Sequence, residues 1–141
     1  MNNHIFQWIR GLGSVFGGAV VYLYGSIDRL LIALVAFIVI DYVTGIIKAF
    51  ILKQLSSEVG FKGIAKKILI LLLVAAANIV DRLTNSDGLI RSMMCLFFIA
   101  NEGLSILENC AQMGVPFPKK FKLILEQLKK NNDESEVSEN E

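Results

Sequence analysis

Histidine occurs once in this chain, as His4, and there is no H-E-x-x-H. A lone histidine near one end supplies neither the paired imidazoles of a zinc protease nor a base beside a nucleophile. No G-x-S-x-G occurs either. Gly60-Phe61-Lys62-Gly63 is no phosphate cradle, because no strand precedes it and no G-K-[S/T] follows. Cysteine is sparse: Cys95 and Cys110 form no C-x-x-C and no zinc spacing, and read as small buried hydrophobes. The residues thus offer no catalytic group, metal site or cofactor site, and the expectation is a protein that is not an enzyme. Charge is scarce as well. Only 19% of residues are Asp, Glu, Lys or Arg, with a net charge of +1, against about 25% in soluble domains. No global field suggests a nucleic-acid partner.

What the chain has in abundance is apolar length. Hydrophobic residues make up 54% of its 141 residues, enough chain for one domain. A bilayer core about 30 Å thick is crossed by roughly 20 apolar residues in a helix. Four stretches approach this: 11–27, 30–52, 64–80 and 89–112. The breaks between them have local causes. Ser26-Ile27-Asp28-Arg29 is a polar turn in which Asp28 suits the N-cap of the next helix, and Ser57 suits that of the third. Asn85-Ser86-Asp87-Gly88 is a dense turn signal. Gly114-Val115-Pro116-Phe117-Pro118 stops the fourth stretch, since proline lacks the N–H a continuing helix needs. No signal-peptide cleavage site follows the first stretch, which is expected to remain in the protein.

The fold class expected is therefore an all-α integral membrane protein, with three to four short transmembrane helices in hairpins over 1–118. An amphipathic cytoplasmic helix follows at 119–130, with Phe121, Ile124, Leu125 and Leu128 on one stripe. Residues 131–141 carry five acids and no base, and are expected to be a disordered acidic tail. Lysine sets the orientation. Lys48, Lys53, Lys62, Lys66 and Lys67 surround the second connection, and Lys119, Lys120 and Lys122 follow the last span, whereas the third connection has only Arg82 and Arg91. Both lysine-rich regions are expected on the cytoplasmic side, with Lys53, Lys62, Lys66, Lys67, Lys119, Lys120 and Lys122 at the membrane surface. If 11–27 spans, there are four helices and a cytoplasmic N-terminus. If it lies in the interface, anchored by Trp8, Tyr22 and Tyr24, there are three.

The polar residues inside apolar stretches are the candidate functional ones. Asp41 interrupts the second stretch, at a cost of about 2.5–3.5 kcal/mol unless a partner or water relieves it. Thr44 and Gly45 share its face, and Gly45 permits close approach of another backbone. On the fourth stretch Asn101, Ser105 and Glu108 form a stripe, with Glu102 and Asn109 beside it. Such a stripe faces a pore or glues helices together, and Asn78 and Asp81 on the third stretch are the expected partners. Gly13 and Gly17 form a G-x-x-x-G suited to helix packing.

In order along the chain, Asp41-Tyr42-Val43-Thr44-Gly45, Leu55 to Ile64 with Lys66 and Lys67, Ile79-Val80-Asp81, Asn101 to Asn109, and Gly114 to Pro118 resemble the toxin-secretion/phage-lysis holin family. The resemblance covers about Leu30 to Leu128. It implies a multi-pass protein of the bacterial cytoplasmic membrane that forms homo-oligomers among membrane lipid and opens lesions. Its implied functional partner is an endolysin, released for host cell lysis, or a secreted toxin. An antiholin of the same fold and a small ion channel or transporter subunit remain alternatives from the residues, as does a membrane scaffold with a lysine-rich tail. The family implies no catalytic residue and no cofactor.

Overall fold

A computed structural model describes residues 2–124, 126, 127 and 130. The expected acidic tail and the stripe positions Leu125 and Leu128 lie outside the described residues. Four helices follow one another, α1 (Asn2–Tyr24), α2 (Arg29–Ile51), α3 (Ser57–Thr84) and α4 (Leu89–Gln112), with no strand among the described residues. Residues 119–124 are again helical, and Phe121 and Ile124 lie exposed there.

Capping sets the helix boundaries. Asp28, in extended conformation, accepts the amide of Leu31 at 2.9 Å and starts α2. Ser56 accepts the amide of Val59 at 3.2 Å and starts α3. The expected cap was Ser57, which instead occupies the first helical position, so α3 exceeds the expected 64–80 at both ends. Asn85 closes α3 in the left-handed conformation that Asn tolerates. Gly88 precedes α4 with no side-chain cap of its own. Asp81 of α3 supplies one, accepting the amides of Ile90 at 3.0 Å and Arg91 at 2.8 Å. This carboxylate at a helix N-terminus satisfies two otherwise orphaned donors.

Three helices, α2, α3 and α4, are long and apolar enough to cross a membrane. Twenty-three helical residues, the length of α2, span about 34 Å at 1.5 Å each. α1 is as long, but His4, Gln7, Arg10 and its glycines dilute it. α4 packs against both α2 and α3. Arg91 meets Asp28 and Asn109 meets Asp41, so α2 and α4 run parallel. α3 runs antiparallel to both. α1 meets α3 through its C-terminal end, where Asn78 donates to the carbonyls of Leu23 at 2.9 Å and Tyr22 at 3.4 Å.

The distribution of polarity is inverted relative to a soluble bundle. Leu31, Leu34, Ile38, Ile70, Val74, Cys95 and Phe98 form an apolar core, but it is small. Ile32, Val35, Val39 and Ile47 of α2 and Ile68, Leu69, Leu72 and Leu73 of α3 are exposed. Asp41, Lys67, Asn78, Asp81, Arg91, Glu102 and Asn109 are buried. Apolar side chains outside and charges inside is the arrangement that a hydrocarbon solvent favours. The protein is an all-α membrane protein.

Candidate functional site

Each spanning helix sends one charged side chain to a common point. Asp41 stands at the centre of α2, Lys67 on the third turn of α3, and Glu102 midway along α4. The Lys67 ammonium donates to Asp41 Oδ2 and to Glu102 Oε2. Asn109, two turns beyond Glu102, donates to the other oxygen of Asp41 and to Thr44 Oγ1, both at 3.2 Å. Thr44 in turn donates to the Asp41 carbonyl at 3.0 Å. Both oxygens of Asp41 are therefore occupied. Glu102 is 0% exposed, and its Oε1 has no partner among the described residues.

The arithmetic of charge matters here. Two carboxylates against one ammonium leave one net negative charge when both acids are ionised. Removing Lys67 would leave two unmatched carboxylates in low dielectric, an error of about 3–5 kcal/mol, whereas removing one carboxylate leaves a balanced pair. Intact, the triad ties all three spans together at one level.

Beside the triad lies a cavity of about 280 Å³, between the last turns of α2, the first turns of α3 and the polar face of α4. Its walls include Asp41, Gly45, Lys67, Ser105 and Asn109. A Cβ at Gly45 would sit 3.6 Å from Asn109 Nδ2, ordinary contact.

The sequence-expected residues divide accordingly. Asp41, Thr44, Gly45, Glu102, Ser105 and Asn109 converge on this site. The inward-facing polar stripe of α4 is Glu102, Ser105 and Asn109 rather than Asn101, Ser105 and Glu108: Glu102 and Asn109 are buried, Ser105 and Asn101 half-buried, and Glu108 exposed. Asn78 and Asp81 do not face that stripe. In an antiparallel hairpin with a turn at 85–88 they lie opposite the start of α4, where Asp81 caps it, while Lys67 lies opposite Glu102. Lys67 itself was expected at the membrane surface with Lys53, Lys62 and Lys66. Those three are exposed, as are Lys119, Lys120 and Lys122, but Lys67 is buried. Its position on the 67, 70, 74, 78, 81 stripe of α3 places it with Ile70, Val74 and Asp81, and that helical period was the available signal. Gly13 and Gly17 face open space, with nothing within 4 Å of a Cβ placed there.

A second lock sits at the other end of the bundle. Arg91 donates from Nη1 to Asp28 Oδ2 at 2.8 Å, and from Nη2 to Asp28 Oδ1 at 3.1 Å and the Ser26 carbonyl at 3.0 Å. The hydrogen bonds from that guanidinium hold the Asp28 carboxyl down at about 2. Arg91, missed as a site residue, shares the 91, 95, 98, 102 stripe with Glu102.

A model of the bacteriophage holin family matches residues 18–130. A protein named "Probable holin" from Bacillus phage phi105 is 41% identical over 113 residues, covering 80% of this chain and 83% of that protein. An uncharacterised 14.9 kDa protein from the region 3′ of nagH in Clostridium perfringens is 45% identical over 127 residues, 89% of this chain and 93% of its own length. An uncharacterised protein of Listeria innocua is 46% identical over 129 residues, 91% of this chain and 89% of its own length. No solved structure matches the chain.

Proposed function

Because the chain belongs to the bacteriophage holin family, we propose that it self-associates in the bacterial cytoplasmic membrane and opens lesions through which an endolysin, or a secreted toxin, leaves the cell. The observation that carries this is the Asp41–Lys67–Glu102 triad held inside a bundle whose outer surface is apolar. The monomer hides its charges and is at ease in lipid. An assembly that walls a water-filled hole needs charged groups facing water, and the polar face of α4 with its partners is what this chain has to offer. Rearrangement of α4 against α2 and α3 would exchange the internal ion pairs for hydrated ones in the hole. The name of the phi105 relative supports the same reading.

The lysine distribution supports a cytoplasmic 52–56 connection and C-terminal segment, with the 85–88 turn on the opposite side. The buried polar residues also suit a small ion channel, and one experiment separates the two. The chain is co-expressed with an endolysin lacking its own export signal, while turbidity and a membrane-potential dye are followed together. Abrupt lysis is expected. Loss of potential with the endolysin retained would assign a small channel instead, and neither event would assign a regulator of the same fold.

A further inference from the structure

The cavity beside the triad has a feature the triad does not use. Lys48, in the last turn of α2, and Lys66, in the third turn of α3, both line it, and neither has a salt-bridge partner among the described residues. Lys67, deeper in, is already committed to Asp41 and Glu102. The neutral polar groups completing the wall are the Gln54 amide, the Tyr42 hydroxyl, Ser105 and Asn109. Glycines keep the space clear: at Gly63 a Cβ would come within 3.3 Å of the Tyr42 ring. The volume, about 280 Å³, far exceeds the roughly 30 Å³ of one water.

We propose that this cavity binds a phosphate group, specifically the headgroup phosphate of an anionic phospholipid. Two uncommitted ammonium groups over a neutral hydrogen-bonding wall are suited to a phosphate diester, which accepts from both at once. Asp41 is the one carboxylate in the wall; it shares Lys67 with Glu102, and with Lys48 and Lys66 the region holds three ammonium groups against two carboxylates, a net positive charge for an anion to meet. Position selects the source. Lys48 lies one turn from the end of α2, and Gln54 lies just beyond it, so the mouth opens at the membrane boundary on the lysine-rich side. A basic pocket between spanning helices at that level is where lipid headgroups sit. Exposed Val43, Ile47 and Phe50 run along α2 nearby and offer apolar surface to acyl chains. The proposal rests on α2 and α3 crossing the membrane and is independent of hole formation.

The test uses the purified full chain in discs of phosphatidylglycerol and phosphatidylcholine in equal parts, followed by native mass spectrometry of retained lipid. Wild type is expected to keep phosphatidylglycerol in preference to phosphatidylcholine. Lys48→Gln/Lys66→Gln should weaken that retention roughly thirtyfold, the attraction of two lysines at a charged surface. Lys119→Gln/Lys120→Gln, outside the cavity, should leave it unchanged. Gly63→Val, which fills the space and spares every charge, should also weaken it, and it carries the test if the double variant does not fold. Equal retention of the two lipids, or undiminished retention in both cavity variants, overturns the proposal. Inorganic phosphate that displaces the lipid at equimolar concentration would overturn the lipid as the source and leave free phosphate as the occupant.

Discussion

At the residue scale the decisive fact is that three charges share one buried site with unequal roles. Lys67 is the cation that both acids share, so Lys67→Met should be the most damaging single change in the bundle, by about 3–5 kcal/mol. Glu102→Gln keeps one balanced pair, Asp41 with Lys67, and should cost far less. Thermal unfolding of the detergent-purified variants ranks them, and equal loss in both would show that the triad does not act as a charge balance. Asp28 makes a separate prediction. Its carboxyl falls from 3.8 to about 2 beside Arg91. A depressed folded value means that its stabilisation is complete above the unfolded value and is lost as pH falls through the folded one. Wild type should therefore lose stability between pH 3.8 and about 2, and Asp28→Asn, which retains the N-cap, should lack that component. The half-open setting of Asp28 keeps the effect modest.

At the element scale the helices are joined by short connections whose residues are specified one by one. Gly25 turns the chain at φ +74°, and a Cβ there would lie 2.9 Å from Asn78 Oδ1. Gly25→Ala should therefore strain the turn by about 1 kcal/mol and displace Asn78 from the α1 carbonyls. Faster amide exchange in the last turn of α1 is the expected signature. Asp81→Ala should uncap α4 at a cost of about 1 kcal/mol. The helices themselves were legible from apolar length, and the turns from Asn85 to Gly88 and from Gly114 to Pro118 from their composition. Asp28 was legible as a cap because it directly precedes an apolar run. Ser56 and Ser57 were not distinguishable, since either hydroxyl reaches an amide three residues on. The α4 site was half legible: polar residues were visible, but which of two adjacent stripes faced inward depends on the rotation of α4 against α2. Lys67 was hidden by the habit of lysines beside a loop to lie at the surface.

At the scale of the whole molecule, an apolar exterior around buried charge is a state suited to lipid and poised to change partners. The proposed topology, with the lysine-rich α2–α3 connection in the cytoplasm, is open to a direct test. Of Glu58→Cys and Ser86→Cys, only the latter should react with an impermeant thiol reagent on intact cells, and the opposite pattern would invert the topology. The central claim is that the triad is retained to face water in the assembled hole and not merely to hold the helices together. The most direct measurement is lysis timing for Asp41→Leu/Lys67→Met/Glu102→Leu, co-expressed with an endolysin lacking an export signal. Apolar replacement of a complete buried ion network is often neutral or stabilising, so this variant is expected to insert and accumulate like wild type. The account predicts that it does not lyse the cells. Lysis on the wild-type schedule would contradict it.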